Sequence, residues 1–136
     1  MTKPLRAGAF VKKHNDVICV YLETTARWET PRHPNPKTRL ERGFGVLTAD
    51  DGYEALRILS EKRPIDVLFA DIVMPGMDGV QLARQAKLMR PEIKVLFATG
   101  YVQKATERNA IHVGRVLYKP LRQAEVIREV ESLLAA

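Results

Sequence analysis

The stretch LFADIVMPGMDG, residues 68–79, decides the fold of this chain. An apolar run leads directly into Asp71, and the loop that follows contains Pro75, Gly76 and Gly79. A run with no polar residue on either face is typical of a strand that is buried on both sides, as in a parallel sheet. The carboxylate of Asp71 is therefore predicted at the point where a buried strand leaves the core.

The rest of the chain alternates between short apolar runs and helical patterns. Strands are predicted over 17–22, 45–49, 65–71, 93–100 and 115–119, and helices over 50–63, 79–89, 103–110 and 121–136. Asp51 with Glu54, and Asp78 with Gln81, have the spacing of helix-capping pairs. Apolar strands separated by helices indicate an α/β fold, a parallel sheet with helices on both faces.

Three polar residues follow three of the predicted strands. Right-handed crossovers place the carboxyl ends of parallel strands at one edge of the sheet, so Asp71, Thr99 and Lys119 are expected to converge there. A carboxylate can accept a phosphoryl group, and a hydroxyl and an ammonium group can bind the phosphoryl oxygens while a divalent metal neutralises the remaining charge. The sequence therefore predicts a phosphoryl site at this edge.

Length and composition restrict the class of protein. The 136 residues, 46% of them hydrophobic, fit one domain over 1–136. We expect a cytoplasmic protein without membrane contact, because the chain has neither a run of ~18 apolar residues nor a signal-peptide core. The single cysteine, Cys19, excludes an internal disulfide, and its apolar neighbours predict a buried, inert thiol.

The net charge of +6 is concentrated near the amino terminus. Residues 1–43 contain nine Lys or Arg against four Asp or Glu, and residues 44–136 contain thirteen against twelve. A basic segment can follow a phosphate backbone, but this one has no helix-turn-helix spacing, zinc ligands or interleaved aromatic residues. We therefore interpret it as a solvated charged face and do not expect nucleic-acid binding.

Four motifs together resemble the receiver domain of two-component response regulators, the CheY-like family. They occur in the family's order and spacing between Gly43 and the last residue, and they read TADDGYEAL, LFADIVMPGMDG, LFATG and YKPL. The resemblance implies a flavodoxin-like, doubly wound, five-stranded parallel sheet with strand order 2-1-3-4-5. It also implies phosphotransfer from a sensor histidine kinase to an aspartate.

The resemblance assigns a role to each site residue. Asp71 would be the phosphoacceptor. Thr99 and Lys119 would bind the phosphoryl group: the Thr99 hydroxyl would follow it on activation, and Lys119 would be its countercharge. Asp71 and the backbone carbonyl of Val73 would be ligands of a magnesium ion. The peptide bond before Pro120 would be cis, a form largely confined to proline.

The segment 1–42 departs from the family pattern. It is basic, and Pro31, Pro34 and Pro36 are spaced so that no long helix can run through it. The first helix of the fold is therefore predicted to be disrupted, which would leave a hydrophobic groove. A homodimer or a helix of a partner protein could cover that groove.

The metal half of the predicted site is incomplete. Receivers carry an acidic pair after the first strand, whereas strand 17–22 is followed by the single acid Glu23. When the family's usual spacing is counted back from Gly43, the acidic pair would fall near Ala26 and Arg27, whose side chains cannot bind a metal. Glu23 is the candidate replacement ligand, and its alternative interpretation is an ordinary exposed residue. Asp50 and Asp51 are expected to cap the following helix instead.

The family's switch residue is also altered. Many receivers have an aromatic residue three positions before the lysine, where this chain has Val116, with Tyr118 next to the lysine. The aromatic rotation is therefore not available in its usual form.

Three functions remain open at this point. The first is a single-domain regulator that accepts a phosphoryl group on Asp71 from a sensor histidine kinase or a phosphotransfer protein, and that signals by protein contacts. Such a domain is not an enzyme beyond self-catalysed phosphotransfer and autodephosphorylation. The second is a pseudo-receiver, a protein-interaction module with impaired metal binding. The third, an aspartyl phosphatase, is disfavoured because Val73 occupies the place of its second acid.

Overall fold

The computed structural model describes residues 16–22, 44–61, 63–100 and 103–135. Within them, strands and helices alternate from β2 onward, as the sequence predicts. The strands are β1 (Val17–Leu22), β2 (Phe44–Ala49), β3 (Val67–Asp71), β4 (Lys94–Thr99) and β5 (Arg115–Tyr118), and the helices are α1 (Gly52–Ser60), α2 (Gly79–Met89), α3 (Lys104–Val113) and α4 (Gln123–Ala135). The predicted disruption of the family's first helix concerns residues outside the described ranges.

The five strands form one sheet in the order β2-β1-β3-β4-β5, which is the predicted order. Strands β3, β4 and β5 are parallel, with Asp71 beside Ala98 and Thr99 beside Tyr118. The carboxyl ends of these three strands therefore meet at one edge of the sheet, which we call the acceptor edge.

The prediction of a fully parallel sheet is wrong for β1. This strand pairs antiparallel with β2 on one side and with β3 on the other, with Val17 opposite Ala49 and Ile18 opposite Phe69. The amino end of β1 consequently lies at the acceptor edge, and its carboxyl end at Leu22 lies at the opposite edge. The sequence VICVYL is apolar throughout, so its pattern reads equally well in either direction.

Both faces of the sheet are covered, as expected for strands that are apolar on both sides. Helix α4 packs on one face and helices α1, α2 and α3 contribute to the other. The buried residues on the α4 face are Ile18, Val20, Val67, Phe69, Leu96, Ala98, Leu117, Val126, Val130 and Leu133. The opposite face has two clusters, which include Cys19, Leu59, Leu68, Leu82 and Ile93 in one and Ile72, Val80, Phe97 and Ala110 in the other.

Local capping fixes where α1 and α2 begin. Asp78 accepts a hydrogen bond from the backbone nitrogen of Gln81 at 2.8 Å, and the Gln81 side chain accepts one from the nitrogen of Asp78 at 3.0 Å. This reciprocal pair satisfies two backbone donors that a helix start leaves open. At α1, Asp51 accepts from the nitrogen of Glu54. Both predicted capping residues are confirmed.

Cys19 lies in the middle of β1 and is buried. Burial, with a smaller contribution from the negative charge of Glu54, raises the pKa of its thiol to about 12. The predicted burial of this thiol is confirmed, and a raised pKa disfavours the thiolate, which is the reactive form. No helix in the described part of the chain is both long and apolar enough to cross a membrane.

Candidate functional site

Asp71 is the last residue of β3 and is almost completely buried, with 3% of its surface exposed. Its Oδ1 atom lies 3.3 Å from Nζ of Lys119, whose side chain is 39% exposed. A buried carboxylate is costly unless a cation or hydrogen bonds compensate its charge. Lys119 therefore stabilises the charged carboxylate at the acceptor edge.

Thr99 ends the neighbouring strand β4 and is also 3% exposed. Its carbonyl oxygen accepts a hydrogen bond from the backbone nitrogen of Lys119 at 2.8 Å, so the backbones that carry these two residues are joined. The peptide bond between Lys119 and Pro120 is cis, as the resemblance implied. The Thr99 Oγ1 atom is buried and has no hydrogen-bond partner among the described residues, which leaves a hydroxyl group free to bind a ligand oxygen.

The loop after Asp71 folds back against the end of β3. The nitrogen of Gly79 donates to the carbonyl oxygen of Ile72 at 2.8 Å, and a Cβ atom at Gly79 would collide with the carbonyl oxygen of Asp71. Gly76 has a φ of +75°, a conformation that L side chains rarely adopt. Val73 lies in this loop and is 61% exposed.

Both acidic residues after β2 take part in capping α1, Asp51 through its side chain and Asp50 through its backbone nitrogen. The side chain of Asp51 caps α1, and the backbone nitrogen of Asp50 donates to the Glu54 carboxylate at 2.6 Å. Within the described ranges, no three His, Cys, Asp or Glu side chains are grouped so that they could hold a metal ion. Glu23, the predicted replacement ligand, lies outside the described residues.

Helix α3 and strand β5 are joined near the acceptor edge by one side-chain hydrogen bond. The hydroxyl of Tyr118 donates to Oε2 of Glu107 at 2.6 Å, and Tyr118 is otherwise 53% exposed. This bond is the main reason that the pKa of Tyr118 is raised above its ordinary value. Val116, at the position of the family's switch residue, is half-buried against the cluster that contains Phe97.

The comparison with protein families agrees with this arrangement. Residues 37–131 match the response regulator receiver domain, and these residues include all three polar side chains of the acceptor edge. The chain belongs to the receiver-domain family. Receiver domains are signalling domains rather than classical enzymes, and this one has the strand order 2-1-3-4-5 of its flavodoxin-like fold, with the first strand reversed.

Named relatives place this receiver among two-component proteins. The chain is 38% identical over 96 residues to the response regulator receiver protein CpdR of Brucella abortus, a match that covers 69% of this chain and 79% of that protein. It is 42% identical over 69 residues to part of the sensor kinase CckA of the same organism, and that match covers 50% of this chain and 7% of the kinase.

A solved structure of another receiver protein has a similar fold. The crystal structure of a response regulator receiver protein from Sinorhizobium medicae superposes with a TM-score of 0.62 at 29% identity, covering 74% of this chain and 82% of that one. The receiver fold is therefore common to both.

Sequence reasoning missed one residue of the acceptor edge. Asp16 immediately precedes β1 and reaches this edge only because β1 is reversed. The available signal was that acids flank both ends of the strand, Asp16 at one and Glu23 at the other. The prediction considered Glu23 alone because it assumed a parallel strand.

Proposed function

We propose that this receiver accepts a phosphoryl group on the carboxylate of Asp71, from a sensor histidine kinase or a phosphotransfer protein, and signals through protein contacts. The observation that supports this most is the ion pair between the buried Asp71 and the partly exposed Lys119, at 3.3 Å, together with the buried hydroxyl of Thr99, which has no hydrogen-bond partner among the described residues. Together they provide a nucleophile, a cation and a hydroxyl for one phosphoryl group.

In the proposed transfer, a carboxylate oxygen of Asp71 attacks the phosphorus atom of the donor. An acyl phosphate forms as the bond between phosphorus and the donor's histidine nitrogen breaks, and that nitrogen keeps the electron pair. Lys119 then has a phosphoryl oxygen beside its ammonium group, and the Thr99 hydroxyl can donate to another. Hydrolysis of the acyl phosphate by water would return the carboxylate.

Magnesium belongs to this proposal through the family. The residues that would hold it are Asp71 and the backbone carbonyl of Val73, both oxygen donors of the kind that magnesium prefers. When bound, the ion would neutralise charge on the phosphoryl oxygens. The Thr99 hydroxyl is buried and has no hydrogen-bond partner among the described residues, so it could donate a hydrogen bond to an oxygen atom of a ligand bound at this edge.

One observation favours a second candidate, the pseudo-receiver. No group of three metal-binding side chains occurs in the part of the chain that the structure describes, and weak metal binding would slow phosphotransfer. Under this alternative, the same fold would act only as a protein-interaction module.

Intact-protein mass spectrometry separates the two. The protein would be incubated with acetyl phosphate with and without magnesium, beside Asp71→Asn and Asp78→Asn. Asp78 caps α2, and Asn caps a helix as well as Asp, so Asp78→Asn is a folded control. We expect a magnesium-dependent phosphoryl adduct in the wild type and in Asp78→Asn but not in Asp71→Asn. No adduct on folded wild-type protein would favour the pseudo-receiver.

A further inference from the structure

The reversed strand β1 brings a different carboxylate to the acceptor edge. Ile18 is opposite Phe69 in the antiparallel pair of β1 and β3. Each step toward the amino end of β1 is a step toward the carboxyl end of β3. Asp16 and Asp71 are each two residues beyond this pair, so the same register, continued past the start of β1, places these two residues opposite each other.

The side-chain directions agree with this placement. Residues directly opposite each other in an antiparallel pair project to the same face, and alternate residues along a strand share a face. Ile18 and Phe69 both belong to the buried cluster on the α4 face. Asp16 and Asp71, each two residues further along, therefore project to that same side of the sheet, with Cα atoms about 4.5–5.5 Å apart.

The distance across the sheet limits this site to two carboxylates. Val17 is opposite Ala49, so the next position along places Asp50 beside Asp16. Asp50 is then two strands from Asp71, about 9–10 Å away, which is consistent with the absence of a three-residue metal group in the described ranges. Magnesium is commonly bound through one or two carboxylates together with waters and a phosphate oxygen.

An independent observation points to a ligand at this edge. The Oγ1 atom of Thr99 is buried and lacks a hydrogen-bond partner within the described chain, and Thr99 is one residue beyond the β4 partner of Asp71. Buried hydroxyl groups are normally satisfied. A phosphoryl group held between Thr99 and a cation would satisfy it.

We propose that Asp16 supplies the second carboxylate of a divalent-cation site whose first carboxylate is Asp71. Receivers carry an acidic pair after a parallel first strand. In this arrangement, Asp16, which precedes the reversed strand β1, takes the place of that pair. The inference rests on the proposed role of Asp71 as phosphoacceptor. Under this inference the second carboxylate is Asp16 rather than Glu23.

The test is manganese binding to the unphosphorylated protein, measured by calorimetry and by electron paramagnetic resonance, with magnesium as competitor. Asp16→Asn is expected to weaken manganese binding about tenfold or more, since even residues behind the ligands contribute that much, and Asp71→Asn should weaken it at least as far. The control is Glu92→Gln, because Glu92 is exposed and precedes β4, away from the acceptor edge. It should bind manganese as the wild type does.

A second measurement does not depend on any variant folding. In an amide NMR spectrum of the wild type, bound manganese should broaden the signals of Asp16 and Asp71 more strongly than that of Lys94, at the start of β4. Broadening at Asp71 without broadening at Asp16 would overturn the inference, as would unchanged manganese affinity in Asp16→Asn.

The two proposals fail in different ways. If the wild type forms a magnesium-dependent adduct on Asp71 and Asp16→Asn binds manganese normally, the role of Asp16 is wrong and the phosphoacceptor function stands. If manganese binds in an Asp16-dependent manner but no adduct forms, the cation site stands and the phosphoacceptor function is wrong. If the wild type neither binds manganese nor forms an adduct, both are wrong.

Discussion

Gly79 is the residue that allows the loop after Asp71 to fold back onto the end of β3. Any Cβ atom at this position would collide with the carbonyl oxygen of Asp71, which is backbone and cannot move aside alone. The first turn of α2 and the acceptor are therefore positioned by the same close approach. A change at Gly79 should disturb both.

We predict that Gly79→Ala lowers the free energy of unfolding by about 1–3 kcal/mol, the usual cost of forcing extra volume into a packed site. Gly100→Ala is the matched control, because a Cβ atom at Gly100 would have no neighbour within 4 Å among the residues that the structure describes. Urea denaturation followed by circular dichroism measures both. Equal stability of the two variants would show that the loop can relax around a methyl group.

At the residue scale, much of the site could be predicted from sequence. Asp71, Thr99 and Lys119 each end an apolar strand, and parallel strands bring such ends together by geometry alone. Asp16 could not be found in this way. Its position depends on the direction of β1, which no residue within that strand signals.

At the scale of elements, the hydrogen bond from Tyr118 to Glu107 joins α3 to β5, next to Lys119. Val116 offers no aromatic side chain for the family's usual rotation. The Tyr118–Glu107 bond instead gives α3 a direct connection to β5, the strand that immediately precedes Lys119, the lysine that we propose binds the phosphoryl group.

The same bond predicts a raised pKa for Tyr118. The Glu107 carboxylate accepts a hydrogen bond from the phenolic hydroxyl and so favours its protonated form, and Tyr118 should therefore titrate above its ordinary value of 10.0. Because the pKa in the folded state is the higher one, the stabilisation is complete below about 10 and is lost as the pH rises through the folded-state pKa.

The difference in ultraviolet tyrosinate absorbance between wild type and Tyr118→Phe measures this titration. In Glu107→Gln, the pKa of Tyr118 should return toward its ordinary value, because a neutral amide holds the proton less strongly. An unchanged titration in Glu107→Gln would mean that the bond does not persist in solution.

The starts of α1 and α2 show which structural features can be predicted from the local sequence. Asp51 and Asp78 were predicted as caps and are caps, since a capping bond reaches only three residues along the chain. The direction of β1 is a long-range property, because it is decided by pairing with β3, some fifty residues away. Local patterns carry no information about such a choice.

At the scale of the whole molecule, the reversed β1 makes the sheet mixed rather than parallel. Nuclear Overhauser contacts test this directly. We predict cross-strand contacts that link Ile18 to Phe69 and Val20 to Val67, the register of an antiparallel pair. A parallel β1 would instead bring residues near the start of both strands together, and contacts between Val17 and Val67 would contradict the structure.

The direction of β1 also decides where fused proteins would be tethered. The described chain enters the sheet at Asp16, beside Asp71, so a reporter attached directly before this strand would crowd the face where we propose that a kinase approaches. Helix α4 ends near the opposite edge of the sheet, because Leu133 lines a cavity with Lys94 and Arg115, the first residues of β4 and β5. Affinity tags and fluorescent reporters therefore belong after α4, where they leave the acceptor accessible.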